Sequence, residues 1–261
     1  MSALFVFGII WFVPAAGVAS PVASTVSKAE IGIAAMRFKY TEFADSGRVL
    51  DSERGNIYGA SLKLGLRLSA WEWEGFGSLL RGQVPYNGQS NYGTPYNTRT
   101  NEKINDWSLR AGYWFATPYP LAPYVGIGYR QWDRDIQPAS LAGLFESYRW
   151  RYSWLGAKVS VAQADNASFL LDVGLLKPLR PELLFGADGA TTLHPEAKTG
   201  LRAILTWQRK LDGNYHLVVE PWYEYWGLGR SPTVFSGAYS IYEPESKTSN
   251  IGVNLRLGWS L

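Results

Sequence analysis

Two histidines, His194 and His216, are the chain's whole stock of imidazole, and there is no cysteine. That removes thiolate nucleophiles, disulfide frameworks and thiolate metal sites, and it leaves too few donors for a dedicated transition-metal site. A serine nucleophile would need its base within hydrogen-bond reach. Neither histidine has a serine within two residues: His194 stands beside Pro195 in a long polar stretch, and His216 follows an Asp212-Gly213-Asn214 turn. Both read as solvated loop or rim residues. Carboxylates also come in close pairs, among them Glu72 with Glu74, Glu220 with Glu224, and Asp133 with Asp135. Paired acids can share proton transfer on a sugar. The two glutamate pairs, however, sit among arginines in segments of strand-like rhythm, where they read as ionised structural partners, and Asp133-x-Asp135 lies in a polar loop. No catalytic residue, metal ligand or cofactor is expected.

The elements that carry these groups share a period of two. In the closing segment, 250–261, Ile251, Val253, Leu255, Leu257, Trp259 and Leu261 fall on one face and Asn250, Gly252, Asn254, Arg256, Gly258 and Ser260 on the other. Successive side chains of a strand point to opposite faces, so one surface is wholly apolar and its reverse polar or small. The same rhythm marks segments 30–43, 56–68, 71–84, 106–116, 124–132, 148–159, 168–176, 199–209 and 215–226. In the first of these Ile31 and Ile33 are out of step with Met36, Phe38 and Tyr40, which predicts a bulge near Ala34 and Ala35. Pro221 predicts a bulge or irregularity in the ninth. Connections alternate between short turns and long polar loops, 44–54, 85–105, 133–147, 177–198 and 227–247. Ten strands result, with eight or twelve as alternative counts.

Aromatic residues make up 15 % of the 261, yet the mean hydropathy is slightly negative. Alternating strands combine these features without the run of about 18 or more apolar residues that a spanning helix needs. The only such run, 4–13, is too short to span and precedes small residues ending at Ala19. Although Met1-Ser2-Ala3 carries no cation, 1–19 reads as a signal peptide and 20–261 as the exported domain. A formal charge of +3 without a Lys/Arg run gives no reason to expect nucleic acid. The fold expected is therefore all-β: a closed antiparallel transmembrane barrel, since in hydrocarbon a sheet must pair all its backbone groups. Rings near strand ends, Trp71, Trp107, Trp132, Tyr148, Trp207, Trp226 and Trp259, would lie at the headgroups.

With the apolar faces turned to lipid, the lumen would be lined by Arg37, Lys39, Lys63, Arg67, Arg110, Arg130, Arg149, Arg151, Arg202 and Arg256, set against Glu72, Glu74, Asp172, Glu220 and Glu224. Ten strands enclose little more space than the eight whose side chains fill the interior. An ion-paired core with a surplus of positive charge is expected.

The closing strand, with Leu257, Trp259 and Leu261, resembles the C-terminal strand by which Gram-negative outer-membrane barrels are recognised for assembly; those usually end in Phe or Trp. The resemblance implies the barrel assembly machinery as a partner and the cell outer membrane as location. The ten-strand plan resembles the omptin proteases, which place two acids in the second outer loop and an Asp-His pair in the fourth. Here 85–105 holds Glu102 and no Asp, Asp188 and His194 are six residues apart, and the Asp pair is in the third loop, so protease activity does not carry over. With the Tyr- and Asn-rich stretch from Pro85, and 38–55 and 242–248, the chain looks like proteobacterial barrels of omptin-like shape and unassigned function. Two functions stay open: a monomeric structural or surface-binding barrel with a plugged lumen, meeting outer-membrane lipid, lipopolysaccharide or an external ligand, and a narrow anion-leaning pore. An omptin-like or lipid-modifying enzyme is a third.

Overall fold

Residue alternation becomes ten long antiparallel strands in the computed structural model, which describes residues 25–89, 93–139, 142–186, 191–236 and 239–261. The expected signal peptide, 1–19, lies outside the described residues. The strands are β1 (Thr25–Phe43), β2 (Val49–Leu68), β3 (Trp71–Gln89), β4 (Pro95–Tyr113), β5 (Leu121–Ile136), β6 (Leu144–Gln163), β7 (Ala167–Phe185), β8 (Gly200–Lys210), β9 (Tyr215–Gly229) and β10 (Glu245–Ser260). Each pairs with its neighbours in sequence, and β10 pairs with both β9 and β1. The sheet is thereby closed. Short strands Thr191–Leu193 and Glu196–Ala197 pair with β7 and β9, and Val234–Ser236 pairs with Tyr239–Ile241, all at the end opposite the termini.

The strands run much further toward that loop end than their rhythm indicated. Residues 49–54, 85–89, 95–105, 133–136, 144–147, 177–185 and 245–247 read as loop but extend the ladders. These extensions carry polar residues on both faces, so they show no alternation.

Toward the termini the outward face is a continuous apolar belt. Ile33, Leu109, Ile127, Leu155, Leu175 and Leu255 are all exposed, at 42–66 %. An exposed apolar surface encircling the molecule is what lipid requires and water does not tolerate. Exposed rings border the belt on both sides: Trp71, Tyr113, Tyr215 and Trp259 toward the termini, and Tyr58, Trp107, Tyr129 and Tyr223 toward the loops. Beyond the second border the outward face turns basic, with Arg37, Lys39, Arg54, Arg81 and Arg149 exposed.

This boundary explains the misaligned parity of β1. No bulge occurs at Ala34 or Ala35, since the register with β2 runs unbroken from Ala34↔Gly59 to Ala35↔Tyr58 and shifts only at Glu42/Phe43. Ile31 and Ile33 face out within the belt, whereas Met36, Phe38 and Tyr40 face in and are buried. Inside the membrane the apolar face points outward. Above it the same strand obeys the soluble rule, apolar inward. At Pro221 there is likewise no register shift, although the paired rows with β8 pass from Ile204↔Trp222 directly to Trp207↔Val219.

Candidate functional site

The inward positions of β5, taken from the termini end, lead through the interior. Tyr124 donates to Asp172 at 2.6 Å, and Asp172 also receives Arg110 at 2.6 Å. Arg110 turns its other arm to Glu74 at 2.9 Å and lies over the Trp154 ring at 4.4 Å. Glu74 further meets Lys63 at 3.0 Å and Lys158, which holds Glu72 at 2.6 Å. Nearer the termini Arg256 forks onto Glu30 at 2.9 Å and Glu220 at 2.7 Å. Next on β5, Arg130 spans Asp106 at 2.7 Å and Glu224 at 2.8 Å, with Arg202 3.7 Å from both. Guanidinium forks suit such two-carboxylate clamps, and paired charges are the form in which ions can be buried.

Above Arg130 the interior is aromatic. Trp132 is fully buried, stacked on Tyr148 at 4.6 Å and edge-on to Tyr40 and Trp226 at 5.0 and 5.1 Å. Above that layer Arg134, also fully buried, donates to Glu42 at 3.1 Å, Glu53 at 3.2 Å and Glu146 at 2.6 Å. Asp51, Glu102 and Glu243 are buried beside them. This group lies beyond the belt, flanked on the outward face by Lys103, Asp133 and Ser147. Burial pushes the carboxyls of Asp51, Glu102 and Glu243 well up, and Glu146 up to about 7 against the pull of Arg134.

Of the residues expected in the lumen, Lys63, Glu72, Glu74, Arg110, Arg130, Asp172, Arg202, Glu220, Glu224 and Arg256 lie inside, and Arg67 lies exposed at the termini end, its guanidinium 5.1 Å from the Trp114 ring. Arg37, Lys39, Arg149 and Arg151 do not: all four are exposed on the outward face, beyond or at the rim of the belt. Conversely Trp132, Tyr148 and Trp226, expected at the headgroups, fill the interior. The positive surplus disappears with those cations. Lys28, Lys63, Arg110, Arg130, Lys158, Arg202 and Arg256 are balanced by Glu30, Glu72, Glu74, Asp106, Asp172, Glu220 and Glu224, and the loop end is acidic. Asp106 shares parity with Arg110 and was legible as a lumenal acid; the carboxylates around Arg134 lay in stretches without rhythm.

The acid and histidine candidates are scattered. His216 is not a rim residue: it is buried 3.4 Å from Glu30, under Gly258, where a Cβ would stand 2.2 Å from the imidazole. His194 is exposed, and Asp188 lies outside the described residues. Asp133 and Asp135 face outward, bonded to Ser147 at 2.7 Å and Gln137 at 2.7 Å, while Glu102 accepts from Trp132 at 2.5 Å. Leu257, Trp259 and Leu261 are exposed on the belt side, on or just past the strand that closes the sheet.

A search of solved structures aligns this barrel with the outer membrane protease OmpT of Escherichia coli, at TM-score 0.58 and 11 % identity over 93 % of this chain and 98 % of that one. The architecture is omptin-like. OprG of Pseudomonas aeruginosa aligns at TM-score 0.43 and 11 % identity over 92 % of this chain and 97 % of that one. No family model matches the chain, and no curated protein sequence does.

Proposed function

We propose that this is a monomeric Gram-negative outer-membrane barrel that does not conduct, and that it acts as a structural, surface-binding protein through its outward and loop-end faces. One observation carries the reading: among the described residues each buried arginine below the Trp132 aromatic layer is paired with carboxylates, so a solute would have to break buried ion pairs to pass. Removing one partner of such a pair, which leaves the other charge buried and alone, costs roughly 3–5 kcal/mol. The basic collar at the loop-side edge of the belt matches the phosphates of lipopolysaccharide, the partner assigned to it. Export by 1–19, assembly through β10 and the absence of catalysis belong to the same proposal.

Single-channel recording of the refolded protein in a planar bilayer tests it. Silence from protein shown to be folded is expected. Discrete anion-selective steps, weakened by Arg110→Glu, would replace it with the narrow pore.

A further inference from the structure

On β3 the outward positions within the belt run Trp71, Trp73, Gly75, Gly77, Leu79. Two consecutive outward positions thus carry no side chain, and the lipid-facing wall is one side chain thinner there. At Gly77 the gap is taken by the Trp107 ring, which a Cβ would approach to 2.3 Å. Nothing takes it at Gly75: a Cβ would meet only that of Leu64, at 3.9 Å. The result is an apolar groove of about 550 Å³ running across the outside of the sheet, between Leu62 and Leu64 at one end and Leu109, Ile127 and Arg151 toward the other. Its volume lies within the roughly 300–1,000 Å³ of small-ligand sites.

Within hydrocarbon, lipid tails are as apolar as leucine, so chain burial alone cannot select an occupant. Charge can. Gly77, Trp107, Tyr129, Arg151 and Leu179 are successive register partners across β3 to β7, so Arg151 stands in the groove's own loop-side row, one strand before Leu179. It is exposed, and no carboxylate pairs with it among the described residues. Arg149, one outward position nearer the loops, is exposed too. An apolar trough with an unpaired guanidinium in its loop-side row fits an acyl chain whose phosphate lies toward the loop end.

We propose that this groove binds one acyl chain of a lipopolysaccharide molecule, with Arg151 holding its phosphate and Gly75 supplying the space. The inference rests on the outer-membrane placement proposed above. It deepens that reading from a collar to a single site.

The test is native mass spectrometry of the full chain, released in mild detergent from vesicles of lipopolysaccharide and phosphatidylethanolamine. Wild-type protein retains one lipopolysaccharide. Gly75→Leu, which fills the groove without a backbone clash, and Arg151→Glu each lower retention roughly tenfold, while Leu205→Phe, on the far side of the belt, leaves it unchanged. The shift in gel mobility on boiling confirms that each variant is folded, and should Gly75→Leu fail to fold, Arg151→Glu decides alone. Retention indifferent to both variants, equally lowered by Leu205→Phe, or equal for phosphatidylethanolamine would overturn the site, as would a second copy of the chain in its place. Wild-type protein that retains no lipid and shows no mobility shift would instead overturn the membrane placement.

Discussion

Arg134 is the residue on which the loop end depends. Its guanidinium lies over the Tyr40 ring at 4.2 Å and meets three carboxylates, with three more buried around them. Removing it leaves those acids without a cation in a medium that stabilises charge poorly. Arg134→Met is expected to destabilise the barrel by roughly 3–5 kcal/mol, read as the urea midpoint for unfolding from lipid vesicles. Protons should partly replace the lost charge. Because the folded Glu146 pKa, about 7, lies above the ordinary 4.5, the folded state binds the proton more tightly than the unfolded. Its stabilisation is complete below pH 4.5 and is lost as pH rises through about 7. Hydrogen-exchange protection at the loop end, taken relative to the intrinsic exchange rate at each pH, should therefore be greater at pH 5 than at pH 8, and Glu146→Gln should flatten that difference; unchanged pH dependence of protection in the variant would assign the effect elsewhere. None of this cluster was legible in sequence, since Arg134 and Glu146 stand in a stretch, 133–147, with no apolar rhythm.

At the scale of the element, β6 contains the change of rule. Its inward residues Tyr148, Trp150, Tyr152 and Trp154 are buried, and its outward face passes from Arg149 and Arg151 to Leu155. Alternation alone made the aromatic set the lipid face and the arginines the lumen. Period two reports only that two faces differ. Which one looks inward depends on the medium outside, and that changes along a strand longer than the bilayer is thick. Three substitutions separate the levels. Leu155→Arg should impair insertion, costing roughly 2–4 kcal/mol near the midplane, whereas Arg149→Leu should stay within about 0.5 kcal/mol. Tyr152→Ala should cost roughly 3–5 kcal/mol as a core truncation, with the added loss of its 2.7 Å bond to Asp106. Folded fraction after vesicle insertion, measured by gel mobility, ranks the three; a tolerated Leu155→Arg would mean that the belt faces water.

For the whole molecule, closure lets a sheet with this much exposed apolar surface exist. β10 pairs on one side with β9 and on the other with β1, so no edge is left to seek a partner. An unboiled sample in mild detergent is accordingly expected to migrate differently from a boiled one, and identical migration would contradict a lipid-stable barrel. The ten strands, their antiparallel order and, outside β1 and β6, the belt residues followed from the sequence, because lipid imposes one alternation on every strand that crosses it. The clean segment 250–261 and the lumenal set Lys63, Arg110, Arg130, Glu220 and Arg256 needed nothing more. The tertiary structure decided the rest: how far the strands rise past the belt, where the faces exchange roles at Ala35 on β1 and Ser153 on β6, and which acids answer which arginines. Those outcomes come from partners far apart in the chain, such as Glu30 with Arg256 and Glu53 with Arg134. Local periodicity carries no information about contacts that only barrel closure creates.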